Sequence, residues 1–164
     1  MIHLKRILVP IDFGKASEAA LRHGVALARA FNARLFMLHV PEHPGAAAAA
    51  EYPIGLFETM QNAAYDQLGN LLTEAELHEL NPARAMRLGK PADEIVKYAV
   101  EREIDLIVMG THGRDGIARM LVGSVAETVV RRASCPVLTV HGMRPDLIPA
   151  GIVDDDRVDA SLTA

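Results

Sequence analysis

Five short strand-like runs, four of them nearly unbroken in apolar residues and separated by stretches of helical period, constrain this chain more than anything else in it. They fall at residues 6–10, 34–40, 83–88, 104–109 and 136–140, the third being the weakest. A strand with one wet face alternates apolar and polar residues. Ile7-Leu8-Val9 and Leu35-Phe36-Met37-Leu38 do not, so both faces of their sheet must be covered. Between the runs, residues 17–31, 56–80, 92–102 and 124–133 carry apolar positions three and four apart. Strands alternating with helices predict a single α/β domain: an open parallel sheet with right-handed crossovers and helices on both faces. Ligands bind beyond the C-terminal ends of such strands.

Local signals sharpen these boundaries. Ser17 is the expected N-cap of the first helix, with Glu18 in its first turn. Residues 56–80 read as one long helix with Met60, Ala64, Leu68, Leu71 and Ala75 on one face, stopped by Asn81-Pro82. Ser124-Val125-Ala126-Glu127 fits a capping box, with the serine hydroxyl on a main-chain N–H three residues on. Residues 41–55 are the one long irregular connection.

At 164 residues, half of them hydrophobic, the chain is large enough to bury a core unaided. No apolar run approaches the roughly 18–20 residues of a membrane span, and residues 1–10 are too short for a signal-peptide core. The lone Cys135 cannot form an internal disulfide, which agrees with a reducing, cytoplasmic compartment. The net charge of −4 belongs to the C-terminal end, because five acidic residues and one arginine lie between 146 and 164. The expected division is a domain over 1–141 and an acidic, flexible tail over 142–164. With no tryptophan and no basic patch, nucleic acid is not an expected partner.

The chemistry gathers after the fourth run. Gly110, Gly113 and Gly123-Ser124 follow an apolar strand and lead into a helix, with the spacing Gly-x2-Gly-x9-Gly-Ser. Glycines let main-chain N–H groups approach an anion, and a helix start adds unpaired donors and the positive end of its dipole. The spacing is neither a P-loop nor the dinucleotide fingerprint. Asp12 closes the first strand, where sites form, and either contacts a ligand or caps the next turn. His112 faces phosphate or solvent, and Arg114 neutralises phosphate or pairs with Asp115. Pro41 and Pro44 rule out the helix that would make His39 and His43 a zinc pair. Lys90 reads as a surface residue, and Cys135 as a packed one. Arg131 and Arg132 complement a helix C-terminus.

The chain resembles the universal stress protein family, specifically its ATP-binding branch. The resemblance is carried by Ile7-Leu-Val-Pro-Ile-Asp12, Leu38-His-Val40, Gly89-Lys-Pro-Ala92 and residues 105–114, 121–127 and 134–138. It implies the fold of that family, related to the adenine nucleotide alpha hydrolases: five parallel strands in the order 3-2-1-4-5. It also implies a homodimer through the last strand, Val137, Leu138, Thr139 and Val140, which as an exposed sheet edge calls for cover in any case. ATP would lie between strands one and four, often without efficient turnover, with Mg2+ as a candidate companion. By the same resemblance, Pro10, Ile11 and Asp12 face adenine and ribose, and Val40 lines the adenine slot beside Met109 and Gly110. Gly113, Arg114, Gly123, Ser124 and Val125 hold ribose and phosphates. Asp115 and the acidic tail depart from the family pattern.

Three functions follow as expectations. The first is a nucleotide-binding stress regulator, since no residue is marked by its spacing as a hydrolytic base. The second is a slow ATPase or nucleotide-transferring enzyme in which Asp12 or Asp115 holds Mg2+. The third is a ligand-free dimerisation module.

Overall fold

A computed structural model describes residues 3–41, 55–111 and 123–141. The elements run β1 (Arg6–Ile11), α1 (Lys15–Phe31), β2 (Arg34–His39), α2 (Leu56–Gly69), α3 (Glu74–Leu80), β3 (Ala83–Met86), α4 (Pro91–Glu101), β4 (Leu106–Gly110), α5 (Ser124–Arg132) and β5 (Val137–Val140). The five strands are all parallel in the order β3-β2-β1-β4-β5, as the resemblance implied. Ile7 sits in register with Leu35 on one side and Leu106 on the other, so β1 is central. Its crossover through α1 leads to β2, whereas β4 is reached through α4 from β3. The chain therefore reverses direction between β1 and β4, which makes their C-terminal ends the switch point.

The absence of polar alternation has the expected cause. Ile7, Val9 and Ile11 point to one face, where they pack with Leu21, Val25 and Ala28 of α1 and Leu68 of α2. Leu8 points to the other, with Leu38, Ile107 and Met109, against Ile95 and Tyr98 of α4 and Val129 of α5. The edge strands β3 and β5 are less buried, which is why β3 was the weakest signal.

Three local expectations are corrected. The first helix begins at Lys15 with Gly14 as its N-cap, not at Ser17. Asp12 accepts the Gly14 N–H through Oδ1 at 2.8 Å, and this turn starts the helix early. Ser17 lies inside the first turn, buried, donating its hydroxyl to the Gly14 carbonyl at 3.0 Å. The expected single helix over 56–80 is two helices. Thr73 and Glu76 form a reciprocal capping box that starts α3 afresh, and Ala75, expected on the buried face, is exposed. Arg84 of β3 also reaches Tyr65 of α2, stacking 3.6 Å from its ring centroid and donating to its carbonyl. A Cβ at Gly69 would collide with that guanidinium. The third correction, at Ser124, concerns the site.

Ion pairs join α1 to α3 and the residue after β3 to α4, and they make stability sensitive to acid. The Thr73 main-chain N–H, helped by its hydroxyl and by Arg29, holds the Glu76 carboxyl below its ordinary range. Hydrogen bonds from Arg29 and Arg87 do the same to Glu79 and Glu101. Each of these carboxyls has a folded-state pKa below its ordinary value of 4.5. The stability they add is therefore fully present above that value and is lost as pH falls through the lowered one. Thermal unfolding followed from pH 7 to pH 3 should show a flat midpoint down to about pH 5 and a falling one below it. A midpoint that rises on acidification would contradict these pairings.

Candidate functional site

The C-terminal ends of β1, β4 and β5 and the start of α5 converge on one place. Gly110 ends β4, and a Cβ there would sit 2.7 Å from the Ala16 carbonyl carbon and 2.9 Å from its oxygen. The glycine is thus required by the close approach of α1 to β4, a packing reason that precedes any ligand. Thr111 follows, fully buried, and its N–H donates to the Val140 carbonyl at 3.0 Å. Its own carbonyl accepts the N–H of Gly123. The chain that leaves the sheet at Gly110 is therefore hydrogen-bonded to the point where α5 begins.

Gly123, not Ser124, is the N-cap of α5, with φ −65° and ψ 153°. Ser124 is the first helical residue and exposed; the expected capping box does not form. Glu127 turns instead to Arg131 one turn on, an exposed ion pair. No described side chain caps this helix, so its first N–H groups have no side-chain acceptor among the described residues.

On β1, Asp12 is held from two sides. Its Oδ1 accepts from Gly14, and its N–H donates to the Ser17 hydroxyl at 3.3 Å. Between them Phe13 takes φ 62°, a left-handed conformation uncommon for a bulky residue and costing about 1–3 kcal/mol. Its ring packs against His39, with centroids 4.6 Å apart. His39 Nδ1 lies 2.8 Å from the Ile11 carbonyl, which only accepts, so Nδ1 carries the hydrogen. Phe13 and Thr111 were missed from sequence, and Ser17 was read only as a helix cap. Asp-Phe-Gly after an apolar run is a turn signal that could have found the first; nothing local marks Thr111.

The expected adenine-facing residues separate by face. Val40 and Met109 belong to the cluster on the α4–α5 side, against which Val125 packs, and Pro10 follows the same alternation as Leu8. Ile11 belongs to the opposite cluster and is 3 % exposed, so only its main chain is offered at the strand end. His112, Gly113, Arg114 and Asp115 lie outside the described residues, as does His43. Lys90 is exposed at the N-cap of α4, and Arg131 and Arg132 occupy the last turn of α5. Burial, with Asp105 nearby, pushes the Cys135 thiol up, which suits a packed residue rather than a nucleophile. Among the described residues no group of three or more His, Cys, Asp or Glu is placed to hold a metal, and no helix is long and apolar enough to cross a membrane.

The architecture is that of an open, doubly wound α/β domain whose strand order reverses between β1 and β4. The chain belongs to the universal stress protein family, which it matches over residues 3–141. It is 36 % identical over 138 residues to universal stress protein MJ0531 of Methanocaldococcus jannaschii, covering 83 % of this chain and 81 % of that one. Universal stress protein MJ0577 of the same organism is 30 % identical over 83 % of this chain and 94 % of its own. The solved structure of MJ0577 superposes with a TM-score of 0.72, covering 87 % of this chain and 99 % of that one. A universal stress protein solved in complex with cAMP superposes with a TM-score of 0.59 at 27 % identity, over 87 % of this chain and all of that one.

Proposed function

We propose that this protein binds ATP at the C-terminal ends of β1 and β4 and acts as a nucleotide-dependent regulator of a stress response, with little or no hydrolysis. The observation that carries this reading is the convergence of Asp12, Gly110 and the Gly123-Ser124 helix start at the switch point. Adenine fits the apolar side formed by Pro10, Val40 and Met109, and ribose fits Asp12. Gly113, Arg114, Ser124 and Val125 take the phosphates, with His112 beside them. The complex of a related universal stress protein with cAMP supports an adenine nucleotide as the ligand class. Micromolar affinity needs about 8 kcal/mol; three or four charge-assisted hydrogen bonds of about 1.5–3 kcal/mol each, together with burial of the adenine, supply it without a P-loop lysine. When bound, Mg2+ would neutralise phosphate charge, with Asp12 or Asp115 as its protein contact. Asp12 Oδ1 is committed to the Gly14 N–H, which suits orienting a ligand more than activating water.

Mass spectrometry of protein purified without added nucleotide, followed by ATP titration of wild type and Gly113→Val, tests the reading. Added bulk at Gly113 should weaken ATP at least tenfold while leaving the melting curve unchanged. Equal affinity in the two proteins, or no ATP binding in either, overturns it. Product formation above background at saturating ATP would make the protein an enzyme instead.

The same reading places the working unit at residues 1–141, in the cytoplasm, as a homodimer through β5. Leu138 on this edge strand is 39 % exposed and Val130 on the neighbouring α5 is 50 % exposed, an apolar edge that pairing would cover. Sedimentation at micromolar concentration should give a dimer for wild type and a monomer for Leu138→Glu. A wild-type monomer would remove the proposed interface.

A further inference from the structure

The break between α2 and α3 leaves a groove along the flank of α1, away from the strand ends. Its volume is about 330 Å3, at the small end of the range for ligand sites. Leu21 and Val25 of α1 and Leu71 and Leu72 of the connection form an apolar floor. Glu18 and Arg22 rim it, one helical turn and about 6 Å apart along α1. Neither has an ion-pair partner among the described residues. The far end differs: Arg29 is held by Glu79 at 2.7 Å and lies 3.6 Å from Glu76, so its charge is already matched.

We propose that this groove binds a small zwitterion with an apolar body, of the chemical class of a free hydrophobic amino acid. The carboxylate meets Arg22, the ammonium meets Glu18, and the hydrocarbon side chain lies on the leucine floor. The opposite charges of the rim select this class. A ligand with one charge matches one rim group and leaves the other partly desolvated. This groove is separate from the nucleotide site proposed at the strand ends and does not depend on it.

The test is an NMR titration of the full chain with L-leucine, following the methyl groups of Leu21, Val25, Leu71 and Leu72. Two analogues of the same skeleton serve as controls, 4-methylpentanoate without the ammonium and 3-methylbutylamine without the carboxylate. Leucine should give saturable shifts, and each analogue should bind at least tenfold more weakly. Arg22→Gln should reduce leucine to the level of the amine. Ala26→Trp, at an exposed position lining the groove, should abolish the shifts without changing the melting curve or ATP binding. The proposal is overturned by unsaturable leucine shifts, by equal responses to leucine and both analogues, or by saturable binding that survives Ala26→Trp.

Discussion

Gly110→Val should lower the thermal midpoint by about 6–12 °C, the equivalent of about 3 kcal/mol in a domain of this size. The reason is what the new side chain would meet. Its Cβ falls 2.7 Å from the Ala16 carbonyl carbon and 2.8 Å from the Ala16 Cβ. Two of the three nearest atoms are main chain in the first turn of α1, which cannot rotate away as a flexible side chain can. Relief requires α1 to lift from β4. Because that turn also carries Ser17, which bonds the Asp12 N–H, the shift should reach the nucleotide site proposed above and weaken any ATP bound there. Gly110→Ala should lie between the two. Circular dichroism melts of all three proteins decide the matter, and a Gly110→Val midpoint within 2 °C of wild type, roughly 1 kcal/mol or less, would show that α1 is not packed as described.

Asp12→Asn should separate the turn-forming role of this residue from the ligand-binding role proposed for it. Asparagine keeps an oxygen that accepts the Gly14 N–H, so the turn that starts α1 survives and stability should change by no more than about 0.5 kcal/mol. It loses the charge. A charge-assisted hydrogen bond contributes about 1.5–3 kcal/mol, so ATP affinity should fall about 10- to 150-fold. Asp12→Ala removes both the acceptor and the charge, so it should also lower the thermal midpoint. Calorimetric titration beside thermal melts of the three proteins reads both effects. If Asp12→Asn binds ATP as wild type does, the carboxylate serves the turn alone.

Where sequence reading succeeded and failed follows the range of the forces involved. The strands were legible because burial on both faces demands uninterrupted apolar residues, and Ile7-Leu8-Val9 satisfies that demand within three positions. The helix starts were less so. Ser17 and Ser124 are both good capping residues, yet neither caps, because Asp12 begins α1 early and Gly123, bonded to Thr111, begins α5. The apolar period through Leu68, Leu71 and Ala75 runs on across a break. That break depends on the Thr73–Glu76 box and is braced by Arg29 on Glu76 and Arg84 on Tyr65.

Local patterning in the chain determined the class of fold, the number and direction of its strands, and the end of the sheet where a site would lie. Those features depend on contacts each segment must make whatever its neighbours are. Tertiary structure alone decided that Gly110 is small for the sake of Ala16, that Thr111 joins β5 to α5, and that Ile11 turns from Val40 and Met109. Each of these is a meeting of residues far apart in sequence, and close packing leaves one arrangement in which all of them fit.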